Sequence, residues 1–120
     1  MRNQPKYHLF KNTTYALNGL IDVIKYETSF KIELFLAVFL VPFIIYVDLS
    51  LVYKLIMFMT LMGVLLAETI NSAIERVVDL VTLEHHPMAG RAKDVGSTIV
   101  FLSIGLFIVT WGLIIMDKFL

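Results

Sequence analysis

The run from Val95 to Met116 contains no charged residue and is closed by Asp117 and Lys118. A helix rises about 1.5 Å per residue, so a run of this length crosses the roughly 30 Å hydrocarbon core of a bilayer. This is the strongest transmembrane signal in the chain, and composition agrees with it. Hydrophobic residues make up 58% of 120, well above ordinary soluble usage. So short a chain buries only a modest core of its own, and lipid must cover the rest.

Two further apolar runs follow from the same logic. No charge interrupts LFLAVFLVPFIIYV between Glu33 and Asp48, which predicts a first span over about residues 30–48. Pro42 inside it is tolerable in a membrane bundle, where neighbours satisfy the carbonyl it frees. YVDLSLVYK reads as a short reversal at a membrane surface. A second span, about 51–80, begins near Leu51, passes through LIMFMTLMGVLLA and turns polar in ETINSAIERVVDL. TLEHHPMAGRAKD, with Pro87 and Gly90, is expected to be a loop before the third span, about 94–117.

Ahead of the spans, from about residue 6 to 26, Leu9, Phe10, Ala16, Leu17, Leu20, Ile21 and Ile24 recur at spacings of three and four. Lys11, Asn12, Asn18, Asp22 and Lys25 fall mainly on the other side, which predicts an amphipathic helix lying in the membrane interface. The expected fold is therefore all-α and integral to the membrane, a surface helix plus three transmembrane helices in one domain over 1–120.

Ten basic and ten acidic residues cancel, which gives no reason to expect nucleic-acid binding. The absence of cysteine excludes disulfides and thiolate metal sites. No compact apolar run with a small-residue cleavage site occupies the first thirty residues, so no secretory signal peptide is expected. The first 31 residues carry Arg2, Lys6, Lys11, Lys25 and Lys31, and the stretch from Arg76 to Lys93 carries Arg76, Arg91 and Lys93. By the positive-inside rule both regions are expected in the cytoplasm.

The chemistry concentrates on the second span. At 100° per residue Glu68, Asn71, Ser72, Glu75 and Asp79 fall within an arc of about 100°. A charge facing lipid is costly, so intramembrane acids usually face a bundle interior or wet cavity and tend to be functional. Asn71 and Ser72 alone would be equally at home as interhelical glue. Carboxylates near a membrane surface suit Mg²⁺, which takes oxygen ligands and commonly arrives with substrate phosphates. Arg91 and Lys93 add positive charge beside Asp94, Glu84, His85 and His86, and Glu27 lies where it reaches the same interface.

No GxxxxGK[ST] loop is present, and GRAKDVG has its lysine between the glycines, so a soluble-type nucleotide fold is excluded. His85 and His86 lack an HExxH context, which argues against zinc. A carboxylate stripe also lines conduction routes, making a small proton or ion pathway the rival from another functional class; an assembly subunit is a third reading. The acids cluster toward one end of the span, which disfavours conduction, and the basic loop is more than an anchor needs.

ETINSAIERVVD followed by HPMAGRAKDVGS resembles the signature region of the bacterial diacylglycerol kinase family, small membrane lipid kinases. Glu68 to Asp79 fits the family pattern at every constrained place, and the surface helix, KYETSFKIE and the order of spans match too. The resemblance implies a homotrimer in the bacterial inner membrane with sites shared between subunits, since nine spans enclose a site that three do not. It implies transfer of the ATP γ-phosphate to the primary hydroxyl of diacylglycerol, giving phosphatidic acid in lipid recycling; related enzymes act on undecaprenol.

Position by position, the resemblance implies that Glu68 is the base for the lipid hydroxyl and that Glu27 and Glu75 hold Mg²⁺. Tyr15, Glu27, Glu75, Glu84, His85, His86, Lys93 and Asp94 correspond to nucleotide contacts, with Asn71 and Asp79 in support. His8, Glu68, Ser97 and Trp111 fall where the family contacts lipid. The chain departs from the family at His8, where an arginine is expected, and at Leu17, where a tryptophan is expected.

Overall fold

The computed structural model describes residues 8–120, in which all regular structure is helical: α1 (Leu9–Tyr26), α2 (Thr28–Tyr46), α3 (Leu51–Val81) and α4 (Pro87–Phe119). The expected start of the surface helix, near residue 6, lies outside the described residues. α2, α3 and α4 are each long and apolar enough to cross a membrane. Their outward apolar residues, Phe35, Phe39, Met59, Leu66, Phe101 and Leu106 among them, are exposed in one copy, the pattern of a chain whose solvent is lipid.

Only Glu27 separates α1 from α2. It takes extended dihedrals (φ −105°, ψ 107°), its N–H donates to the Val23 carbonyl and its own carbonyl accepts from Lys31 N–H. Neither glycine nor proline makes this elbow. Thr28 and Ser29 follow it, residue types that favour helix ends because their side chains compete for backbone hydrogen bonds. Of α1 only Val23 is buried, and Leu9, Phe10, Leu17 and Ile21 are exposed, as an interfacial helix requires.

The α3–α4 connection is shorter than the expected polar loop. α3 runs to Val81 and α4 begins at Pro87, which leaves Thr82–His86 as the connection. Pro87 starts the helix because the first helical position has no use for an N–H, and His86 caps it by accepting the Met88 N–H at Nδ1 (3.1 Å). Gly90, Arg91, Lys93 and Asp94 are consequently helical. The 31 residues of α3 and 33 of α4 make rods of about 46 and 50 Å at 1.5 Å per residue, so both overhang a 30 Å hydrocarbon core.

α3 packs most extensively on α4, with α2 against α3. Met57, Leu61 and Leu65 of α3 meet Phe30, Ala37 and Ile44 of α2 and Trp111 and Ile114 of α4 in one core. Trp111 anchors it: Nε1–H donates to the Met57 carbonyl (3.2 Å) and to Thr60 Oγ1 (3.1 Å), and the ring lies against Phe107 and Phe43. At the far end the Tyr53 hydroxyl donates to Asp117, tying the start of α3 to the end of α4.

Candidate active site

The polar stripe of α3 grades from buried to exposed. Glu68, only 8% exposed, and Ser72 are buried, Asn71 and Glu75 are half-buried, and Asp79 is exposed beside the connection to α4. Toward the other membrane face the buried positions of α3 are Ala67, Leu65, Val64, Leu61, Thr60 and Met57. Thr60 is the polar exception, and its hydroxyl is held by the Ile56 carbonyl and the Trp111 indole. Carboxylates thus end at Glu68.

Glu68 has a neighbour that sequence reasoning treated only as the flank of the first span. The Glu33 carboxyl of α2 faces it across the α2–α3 contact. Glu33 Oε2 is buried with no donor aimed at it. The available signal was Glu33 standing six residues after Glu27, two turns inside the membrane-entering helix. An apolar groove of about 320 Å³, lined by Leu36, Leu61, Leu65, Ile104 and Phe107, has Glu33 in its wall.

Beyond the stripe α3 and α4 open into a smaller cleft of about 210 Å³. Its lining gathers Asp79, Glu84, His85, His86 and Lys93, five of the residues singled out in the sequence. Lys93 Nζ pairs with Asp79 Oδ1 at 2.7 Å, and Glu75 lies within Coulombic range of the same ammonium. Helix geometry makes the pairing possible: Lys93 stands in the second turn of α4, alongside the last turn of α3. Asp94 is exposed on the same turn, and Ser97 is exposed one turn further.

Glu27, at the elbow, is brought to α3 by an ion pair with Arg76, which also holds Asp22. The sequence placed Asp22 on the polar face of α1 and Arg76 among the cations of the stretch from Arg76 to Lys93, without pairing them. His8 stands at the start of α1 and Tyr15 within it, both exposed, and neither lines the cleft with Lys93. Trp111 lies in the core, away from the other predicted lipid contacts.

Among the described residues no three His, Asp or Glu side chains form a ready-made metal cage. Mg²⁺ usually keeps several waters and binds through one or two carboxylates plus substrate phosphates. Glu27 fits this use because Oε1 alone accepts the Arg76 bonds. The donor set is oxygen throughout.

Comparison with known proteins points the same way. Residues 14–115 match the model of the prokaryotic diacylglycerol kinase family. A diacylglycerol kinase of Haemophilus influenzae is 38% identical over 88% of this chain and 89% of its own. One of Pseudomonas aeruginosa is 36% identical over 87% and 85%, and an undecaprenol kinase of Bacillus subtilis is 34% identical over 82% of each.

Proposed function

The chain belongs to the prokaryotic diacylglycerol kinase family, and from that premise we propose that it transfers the γ-phosphate of ATP to the primary hydroxyl of diacylglycerol, giving phosphatidic acid. The observation that carries this reading is the order of groups along the bundle, from the buried part of α3 to the α3–α4 connection. Buried Glu68, with half-buried Glu33 of α2 beside it, stands where a lipid hydroxyl arrives from the bilayer. Lys93, His85, His86 and Glu84 surround a polar cleft at the exposed end, where nucleotide arrives from water.

Glu68 takes the proton of the lipid hydroxyl as its oxygen attacks the γ-phosphorus and the bond to the ADP oxygen breaks. Phosphoryl transfer is mostly positioning and charge neutralisation. Mg²⁺, when bound with ATP, supplies neutralisation of the phosphate charge, and Glu27 and Glu75 are the residues that would hold it. Lys93 offers the phosphates an ammonium, with Asp79 holding it in place in the free enzyme. Tyr15, Asp94 and the Glu84–His86 connection complete the nucleotide contacts, and Asn71 supports Glu68 from one turn away. Ser97 lies at the headgroup level. His8 takes the place of the family's arginine on the surface helix.

The enzyme works as a homotrimer, in a bacterial inner membrane, with α1 and the α3–α4 connection in the cytoplasm. Support for the trimer comes from the open site: one copy leaves the cleft and the apolar groove uncovered, and its spans bury little of their own apolar surface. The excess of Lys and Arg on these segments supports the orientation. The second reading, phosphorylation of undecaprenol, is favoured by the match to the Bacillus subtilis enzyme. Mg²⁺-dependent transfer of labelled γ-phosphate in mixed micelles, with each lipid offered separately and Glu68→Gln as control, decides between them. Label in diacylglycerol supports the main reading, and label in undecaprenol alone replaces it. Undiminished transfer by Glu68→Gln removes Glu68 as the base.

A further inference from the structure

Arg76 follows Glu75 in the chain but sits 100° further round α3, so its side chain leaves the carboxylate stripe and reaches the α1–α2 elbow. Its guanidinium divides between two acids. Nη1 pairs with Asp22 of α1, while Nε (3.2 Å) and Nη2 (2.9 Å) both donate to Glu27. Both of these bonds end on Oε1. An arginine that meets a carboxylate edge to edge usually engages both oxygens. Here Glu27 Oε2 receives no bond among the described residues, and the Glu27 side chain is 27% exposed.

We infer that Arg76 is a positioning residue for the divalent cation. It holds Glu27 by Oε1 so that Oε2 is presented, and Asp22 holds the guanidinium from its other side. The inference rests on Glu27 being a metal ligand, as proposed above. Two physical reasons support it. Carboxylates that bind metals are themselves oriented by outer hydrogen bonds, and loss of that outer partner typically weakens metal binding by about 10- to 100-fold. Charge balance is the second reason. Arg76 with Glu27 alone sums to zero and would offer a cation little attraction, whereas Asp22 brings the cluster to −1, with Glu75 adding another negative charge nearby on α3. Asp22 thus lets an arginine orient a metal ligand without cancelling it.

Apart from this cluster α1 has little hold on α3. The two helices face each other across an open cleft of about 480 Å³ lined by Gly19, Val23, Thr69 and Ala73. An elbow carboxylate with one extended backbone residue behind it needs a side-chain anchor to keep a fixed place relative to Glu75.

The experiment is Mn²⁺ binding followed by electron paramagnetic resonance on the full chain in micelles with a non-hydrolysable ATP analogue, beside Mg²⁺ titrations of activity. Arg76→Ala is expected to weaken Mn²⁺ binding by about 10- to 100-fold and to raise the half-saturating Mg²⁺ with kcat at saturating Mg²⁺ largely kept. Arg76→Lys should recover part of the loss, and Asp22→Asn should weaken Mn²⁺ binding while leaving Glu27 and Arg76 in place. These two conservative variants decide the matter if Arg76→Ala fails to assemble. Unchanged or tighter Mn²⁺ binding in Arg76→Ala or Asp22→Asn overturns the inference and makes Arg76 a competitor of the cation. Glu27→Gln separates the two levels: if it weakens Mn²⁺ binding and the Arg76 and Asp22 variants do not, the inference alone fails. If Glu27→Gln leaves binding unmoved, the metal role of Glu27 and the inference fall together.

Discussion

Asn71 of α3 sets its carboxamide oxygen against the backbone of Gly96 in α4, in the space a Cβ on that glycine would take. The same added carbon would stand 3.5 Å from Asn71 Cγ and 3.6 Å from Ile74 Cγ2, so a side chain at this position would have to displace the Asn71 amide. Asn71 is one turn from Glu68, and Gly96 adjoins Ser97. The helix contact and the candidate site therefore share an atom-scale constraint.

Gly96→Ala is expected to push the Asn71 amide out of place and to cost about 1–3 kcal/mol, as overpacking usually does. Activity should fall at least tenfold, with faster thermal inactivation in micelles. Gly90→Ala, where a Cβ meets nothing within 4 Å, is the matched control. Equal behaviour of the two variants would mean the Asn71 contact has no part in catalysis or assembly.

Glu33 and Glu68 make a second test. Glu33→Gln keeps a polar partner of the same size beside Glu68 and should retain most of the turnover. Glu33→Leu leaves the buried Glu68 without a polar neighbour on α2, at a cost of about 1–3 kcal/mol; kcat/KM is expected to fall by one to two orders of magnitude. Full activity in Glu33→Leu would remove Glu33 from the site.

At the exposed end, Lys93→Ala should raise the KM for ATP about tenfold, the value of roughly 1.4 kcal/mol in binding, and leave the KM for diacylglycerol unchanged. Asp79→Asn frees the ammonium from its 2.7 Å partner and is expected to have the smaller effect. Steady-state kinetics with each substrate varied in turn would show this, and an equal change in both KM values would contradict it.

Trp111→Ala removes the anchor of the core and should destabilise by about 3–5 kcal/mol. Trp111→Phe keeps most of the ring contact but loses the bonds to the Met57 carbonyl and Thr60 Oγ1, and about 1 kcal/mol is expected for it. Inactivation rates at elevated temperature measure both. A Phe variant as labile as the Ala variant would assign the stability to the indole N–H rather than to packing.

By itself the sequence determined the helices and the chemical inventory. An uncharged run from Val95 to Met116 has one low-energy solution in lipid, and the spacing of Glu68, Asn71, Ser72, Glu75 and Asp79 places them on one face of any helix, because both follow from backbone geometry within a single segment. The gathering of Glu84, His85, His86 and Lys93 was also legible, since they are close along the chain. Local signals misled at Pro87 and Gly90, which read as loop punctuation until the first-turn position of Pro87 made them helical. What only the tertiary structure decided lies between segments. Gly96 admits Asn71, Glu33 meets Glu68, and Arg76 reaches Asp22 and Glu27 across 49 or more residues of chain. Such pairings depend on how far one helix is rotated against another, and that rotation is set by packing at the contact rather than by any pattern within either helix.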